Sequence, residues 1–265
     1  MYFSNKIVLI TGASSGIGKA LALELARQQA KLILVARRAE VLAEVQAECL
    51  QYTQHCQLLC FDLKNSELIP AKAAEALTLF GGLDVLINNA GVSQRSLVTE
   101  TAAEVDRDIM EINFFSTVYM TKALLPHFVK QGHGHIIVMS SMAGLMGFPM
   151  RSAYSAAKHA LHGFFETFQT EQPVKDLHTL IVCPGRINTP ISLSALTGSG
   201  EKHGKMDDGQ KNGIPADKCA QIILRAAEKK KKLIKIAKEE KILLAIKRVL
   251  PNLFYKIAHN AGMKQ

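Results

Sequence analysis

Lys6-Ile-Val-Leu-Ile10, followed at once by Thr11-Gly-Ala-Ser-Ser-Gly-Ile-Gly18 and then by the helical spacing of Leu21, Leu25 and Ala26, decides the fold. The apolar run reads as a short buried strand and the leucines as one face of a helix, with a glycine-rich turn between them. Glycine at 12, 16 and 18 lets the backbone turn tightly and carry Ser14, Ser15 and Ile17 close to a ligand. The free amides and dipole of the helix N-terminus favour a pyrophosphate there. A glycine triplet alone is a weak signal; its position after a strand and before a helix is the context that a dinucleotide-binding turn requires.

Outward from this stretch, Lys31-Leu-Ile-Leu-Val-Ala36 is a second strand ending in Arg37-Arg38. NAD-preferring turns place an acidic residue at that point against the ribose 2′-hydroxyl, whereas two guanidinium groups suit the 2′-phosphate of NADP. The competing reading makes both arginines the solvated start of a helix over 38–50. A strand over 56–61 carries Asp62-Leu63 at its carboxyl end, a place to meet an adenine ring. Asp84-Val-Leu-Ile-Asn88 is a further strand, closed by Asn89, Ala90 and Gly91, with room beside them for a cofactor. Strands over 135–140 and 179–183, the latter followed by Pro184-Gly185, alternate with helical segments over 102–130 and from 152 to about 171. Such alternation predicts an α/β fold: a single Rossmann-type, doubly wound parallel sheet with helices on both faces.

Residues 190–214 have no strong period and are expected to form a mobile loop over the substrate. A helix over 216–228, a last strand near 233–237 and an apolar stripe through Ile242, Ala245, Ile246, Val249, Leu250, Leu253, Phe254 and Ile257, interrupted at Pro251, complete the chain. The stripe and the lysines that begin at Lys229 make 229–265 a basic amphipathic extension. It is expected either to pack on the domain or to make a peripheral contact with an anionic membrane.

The chemistry concentrates in Met139 to Lys158, where a hydroxyl, a phenol and an ammonium group fall close together. Tyr154 and Lys158 are four apart on a helix expected to be capped by Ser152, and so share a face, a pattern that by itself reads more readily as an ordinary helix face with a snorkelling lysine. A phenol titrates near ~10 and needs nearby positive charge to act as acid or base at neutral pH. Ser141, at the carboxyl end of a strand, is placed to donate to a substrate oxygen. Asn113 sits inside a helical pattern where asparagine is a weak helix former, so it either satisfies a local backbone group or has a further task. Met142, Leu145, Met146, Phe148 and Met150 suggest an apolar pocket wall and a lipophilic small-molecule substrate, or else the packing of a loop on the core.

At 265 residues, 48% of them apolar, the chain suffices for one domain over 1–265. It holds no apolar run of the ~18 to 20 residues that cross a membrane. Met1 to Lys6 lacks the apolar core of a secretory signal, and a cytoplasmic location is expected. Five scattered cysteines with no CxxC pair argue against a disulfide framework or a zinc site, and no metal is expected. The net charge of +9 is concentrated in the last quarter of the chain. Lysines dominate there without a recognition motif, so no nucleic-acid partner is expected.

Thr11-Gly-x-x-x-Gly-x-Gly18, Asn88-Asn-Ala-Gly91, Asn113, Ser141, Tyr154-x-x-x-Lys158 and Pro184-Gly185 together resemble the short-chain dehydrogenase/reductase superfamily, in its order and spacing. Leu193 to Gly198, His203 to Asp207 and the lysine run are similar to the branch of dehydrogenase/reductase family member 7, near the 11-beta-hydroxysteroid dehydrogenases. The resemblance implies hydride transfer between NADP(H), with NAD(H) less favoured, and a carbonyl or secondary alcohol. Tyr154 would be the proton donor or acceptor, Lys158 would bind the nicotinamide ribose and lower the pKa of Tyr154, and Ser141 would hold the substrate oxygen. Asn113 would set a helix kink and a water that passes protons to Lys158. Pro184, Gly185, Ile187 and Thr189 would lie along the nicotinamide, Ile187 and Thr189 orienting its carboxamide. A homodimer or homotetramer packed through helices near 114–130 and 152–171 is also implied, with Phe164, Phe165 and Phe168 either as contacts or, equally, as internal core. A dinucleotide sensor without turnover would use the same fold.

Overall fold

In the computed structural model, which describes residues 1–171 and 173–262, the expected strands become one all-parallel sheet. In chain order, β1 (Ile7–Thr11), α1 (Gly16–Arg27), β2 (Lys31–Ala36), α2 (Ala39–Leu50) and β3 (Cys56–Cys60) form the first half. After α3 (Ile69–Phe80) come β4 (Val85–Asn88), α4 (Ala103–Met110), α5 (Ser116–Gln131), β5 (His133–Met139), α6 (Ser152–Glu171) and β6 (Asp176–Pro184). A two-residue pair, β7 (Ile187–Asn188) with β8 (Ile214–Pro215), brackets the short α7 (Asp208–Lys211), and α8 (Ala216–Glu228), β9 (Leu233–Ile236), α9 (Glu240–Val249) and α10 (Pro251–Gly262) follow. The last three residues of the expected 229–265 extension lie outside the described residues.

The main sheet runs β3-β2-β1-β4-β5-β6-β9. Val8 pairs with Leu32 on one side and Val85 on the other, so β1 and β4 are neighbours although two strands separate them in sequence. The winding reverses between them, and a crevice opens at the carboxyl ends of the strands where it does. Because helices cover both faces, the central strands are apolar throughout rather than alternating. Leu21, Leu25, Cys219 and Ile223 of α1 and α8 pack on one face, and Leu124, Phe128, Leu161 and Phe165 of α5 and α6 on the other.

Three expectations are refined. The helical segment expected over 102–130 is two helices joined by a turn of π-helix, Glu111–Phe115, with Asn113 in it. Ser152 is the first residue of α6 rather than the group that caps it; the carboxamide oxygen of Gln94 accepts from the amides of Ala153 at 2.9 Å and Tyr154 at 3.3 Å. Phe165 and Phe168 belong to the core, where burial of their rings accounts for them.

Candidate active site

The crevice is a cavity of about 570 Å³ that runs from the ends of β1 and β2 to the N-terminal half of α6. Gly12, Ser14, Ser15, Gly16, Ile17, Arg37, Arg38, Asp62, Leu63, Asn89, Ala90, Gly91, Asn113, Ser141, Tyr154, Lys158, Pro184, Gly185, Ile187 and Thr189 all line it. Of the site residues expected from sequence, Gly18 alone is absent from that lining. Its part is packing: a Cβ there would collide with the carbonyl oxygen of Gly12. Gly12 itself has φ +65 and would bring a Cβ within 2.8 Å of the Cα of Ala90, so the turn closes only without side chains.

That closure is held by hydrogen bonds. Thr11 Oγ1 accepts from the amides of Asn89 at 2.9 Å and Ala90 at 3.0 Å, and Asn89 Nδ2 donates back to the carbonyl of Thr11 at 2.9 Å. No acidic residue occupies the first turn of α1 and Ser15 makes no side-chain cap, which leaves the helix amides to an anion. At the other wall Arg38 reaches the hydroxyl of Ser14 at 3.5 Å, and Arg37 lies 3.5 Å from the Asp62 carboxylate.

At the opposite end, Tyr154 is buried near Ser141, whose hydroxyl donates to the carbonyl of Pro184 at 3.4 Å. Burial pushes the Tyr154 phenol above the ordinary value, while the neighbouring Ser141 hydroxyl and the charges of Arg151 and Arg95 pull it the other way. Lys158 donates to the carbonyl of Met139 at 2.7 Å, and burial pushes its ammonium down to about 8. Beneath it Ser140 donates to the carbonyl of Lys158 at 3.2 Å and lies 3.0 Å from His162 Nε2, fixing α6 against β5.

Asn113 spends its side chain on backbone. Nδ2 donates to Val92 at 3.0 Å and Ile109 at 2.9 Å, and Oδ1 accepts from the Val92 amide at 3.2 Å. The π turn is thereby tied to the segment after β4. Gly91 makes the approach fit, since a Cβ there would stand 2.6 Å from Asn113 Oδ1.

Several residues of the site carry no family motif. Gln94, fully buried, caps α6 and so sets the start of the helix that bears Tyr154. Arg95 and Arg151 both reach Asp207, with Arg95 Nε 3.1 Å and Arg151 Nη2 3.4 Å from its Oδ2. Burial opposes ionisation of Asp207, but the Arg95 hydrogen bond and the two guanidinium charges hold its carboxyl below the usual value. The segment 190–214 is pinned over the cavity by these pairs and by Leu196, whose amide donates to Ser93 at 2.9 Å and whose carbonyl accepts from Arg95 at 2.8 Å. Of the five residues expected to form a pocket wall, Met142 and Phe148 line the cavity, joined by Ile191, Leu196, Leu243 and Phe254, whereas Leu145, Met146 and Met150 do not, and Met142 is also part of the core with Met146.

A parallel sheet with its winding reversal over a glycine-rich turn, and a cavity joining that turn to a buried tyrosine and lysine one helical turn apart, define an NAD(P)-dependent oxidoreductase. The short chain dehydrogenase family model matches residues 6–198, and the chain belongs to that family. Within it the chain is 38% identical over 269 residues to dehydrogenase/reductase SDR family member 7B of Mus musculus, covering all of this chain and 83% of that protein. Among solved structures, a short-chain dehydrogenase from Streptomyces avermitilis matches with TM-score 0.81 and 29% identity, over 97% of this chain and 99% of that one. An alcohol dehydrogenase from Thermococcus sibiricus complexed with 5-hydroxy-NADP matches with TM-score 0.74 and 26% identity, over 87% and 95% of the two chains. Among the described residues no helix is long and apolar enough to cross a membrane.

Proposed function

We propose that this chain is an NADP(H)-dependent oxidoreductase of a lipophilic ketone or secondary alcohol, with Tyr154 as general acid and base. The observation that carries the reading is the buried Tyr154 phenol, which shares the wall of the cavity with Ser141 and lies one helical turn from buried Lys158. Bound nicotinamide supplies or accepts the hydride. The chain's own residues manage the proton and the geometry. Burial keeps the phenol protonated near neutral pH, the form that donates to a carbonyl oxygen during reduction. Ser141 donates to the same oxygen and orients it, while Lys158 holds the ribose hydroxyls. Asn113 keeps the π turn against Val92 and with it the shape of the cavity floor. Arg37 and Arg38 beside Ser14 support the 2′-phosphate and hence NADP. The apolar wall of Met142, Phe148, Ile191, Leu196 and Leu243 supports a lipophilic substrate, covered by the segment 190–214 as its loop.

The test is NADPH oxidation over steroids, retinoids, quinones and acyl ketones, by wild type and by Tyr154→Phe, with NADPH affinity measured in parallel. Turnover that disappears in the variant while affinity stays supports the reading. NADPH binding without turnover of any of these compounds favours the dinucleotide sensor, and turnover by Tyr154→Phe overturns the acid/base role.

A second reading concerns partners, and the two-sidedness of the C-terminal hairpin favours it: α9 and α10, at a cytoplasmic membrane face, dock peripherally on anionic lipid. Leu243 and Phe254 face the cavity, while Ile242, Val249 and Leu250 are 64%, 76% and 54% exposed among Lys238, Lys241 and Arg248. Sedimentation with anionic and with neutral vesicles, for wild type and for Ile242→Asp with Val249→Asp, tests it. Self-association through α5, as a homodimer or homotetramer, draws support from the stacked pair Phe115 and Tyr119, the latter 39% exposed; light scattering at micromolar concentration reads it.

A further inference from the structure

Glu240 is a charged side chain only 8% exposed on the wall of the cavity, and its carboxylate is fully engaged with backbone. Oε2 accepts from the amide of Lys238 at 3.2 Å, two residues back on its own segment. Oε1 accepts from the amide of Arg186 at 2.9 Å, across the molecule on the turn between β6 and β7. The first bond is local helix-start chemistry, helped by the position of Glu240 in the first turn of α9. The second has no such explanation.

Its surroundings give it one. The carbonyl of Arg186 accepts from the amide of Ile214 at 2.9 Å, so both backbone groups of Arg186 are taken, one by the carboxylate and one by β8. Gly185 completes the arrangement: its amide donates to Ile236 at 2.8 Å, and a Cβ on it would stand 2.8 Å from Glu240 Oε1 and from the Cβ of Ala237. Glycine at 185 is thus the residue that lets a carboxylate reach the next amide. The turn so fixed starts at Pro184, whose carbonyl accepts from Ser141 Oγ at 3.4 Å, and continues into Ile187 and Thr189, which line the cavity.

We infer that Glu240 is a positioning residue for the nicotinamide half of the cofactor: it clamps the Pro184 to Thr189 turn from the C-terminal hairpin, and it does nothing for the adenine half. The inference rests on the proposed cofactor reading. A carboxylate is suited to the task because it accepts from two amides at once and the bonds are charge-assisted. Arg186 and Glu239 add only a loose outer pair at 4.0 Å.

The experiment compares NADPH with 2′,5′-ADP, which lacks the nicotinamide, by titration of the full chain as wild type, Glu240→Ala and Glu240→Gln. Glu240→Ala should weaken NADPH about tenfold, the loss expected of one charge-assisted bond, and leave 2′,5′-ADP unchanged. Glu240→Gln, whose amide oxygen still accepts from Arg186, should recover most of the NADPH affinity. Circular dichroism melts establish that each variant is folded. Unchanged NADPH affinity in Glu240→Ala overturns the clamp, and so does an equal loss of both ligands in the two variants, which would make Glu240 a matter of general stability. Wild type that binds neither ligand overturns the cofactor reading and the clamp with it, a result recognisable without any variant.

Discussion

The ammonium of Lys158 stands 5.7 Å from the centre of the Tyr154 ring and donates to the Met139 carbonyl at 2.7 Å. The charges that pull the Tyr154 phenol down come from Arg151 and Arg95 rather than from Lys158, and burial outweighs them. With Lys158 titrating at about 8, NADPH affinity should fall as pH rises through that value, because the ribose loses its cation. Lys158→Met should bind weakly with a flat profile. For stability the sign is opposite. Between about 8 and the ordinary lysine value the unfolded chain binds more protons here than the fold does, so the cofactor-free protein gains stability from this residue as pH rises. Binding titrations and melts of both proteins from neutral pH to about 10 read the two effects.

Gln94 offers a way to move the catalytic helix without touching the catalytic groups. Gln94→Leu removes the acceptor for the Ala153 and Tyr154 amides. Loss of a helix cap costs about 1 kcal/mol, so denaturant melts should detect a modest destabilisation. Turnover should fall more steeply than NADPH affinity, because the lost bond sits at Tyr154 and far from the adenine end. Equal losses in both would mean that the cap serves the fold alone.

Cofactor choice should follow the end of β2. Arg37→Asp sets a carboxylate beside Asp62, which Arg37 now meets at 3.5 Å, and should weaken NADPH by about ten- to a hundredfold. NADH should lose little. Arg38→Ala removes the reach to Ser14 and should act in the same direction. Equal NADPH affinity in wild type and variants would contradict the 2′-phosphate contact.

Asp207 should act as an anchor. Asp207→Ala leaves two guanidinium groups facing each other, and breaking a largely buried pair by deleting one partner costs about 3 kcal/mol. Since the carboxyl is held below its ordinary value, its contribution is present above that ordinary value and is lost as pH falls through the lowered one. Limited proteolysis should find new cuts within 190–214 in the variant at neutral pH and in wild type only in acid.

How much of this was legible beforehand follows from where the information lies in the chain. The sheet could be read because each central parallel strand is buried on both faces and so carries an unbroken apolar run, as in Leu180 to Val182. Tyr154 and Lys158 were legible because helix geometry fixes neighbours four residues apart. Gln94, Arg95, Asp207 and Glu240 were not, because their partners are distant in sequence: Arg95 and Asp207 lie 112 residues apart, and Arg186 and Glu240 lie 54 apart. Their single local trace is polarity in unusual places, such as Gln94-Arg95, which follow the Asn-Asn-Ala-Gly closure after Val92 and Ser93. Asn113 fell between the two cases. Its poor fit to a helix was visible, but the π turn that resolves the misfit depends on Val92 from another segment.

That π turn also separates what the scaffold needs from what the site needs. A turn closed by i→i+5 bonds holds one residue more than an α turn, so it absorbs a surplus residue that would otherwise rotate everything after it by about 100°. A chain one residue shorter within Glu111–Phe115 would run from α4 into α5 as uninterrupted α-helix, with Val105, Ile109, Leu124 and Phe128 still turned inward. What would vanish is the loosened carbonyl of Ile109 and the asparagine that answers it. The fold would survive, and the wall of the proposed site would lose its tie to the segment after β4.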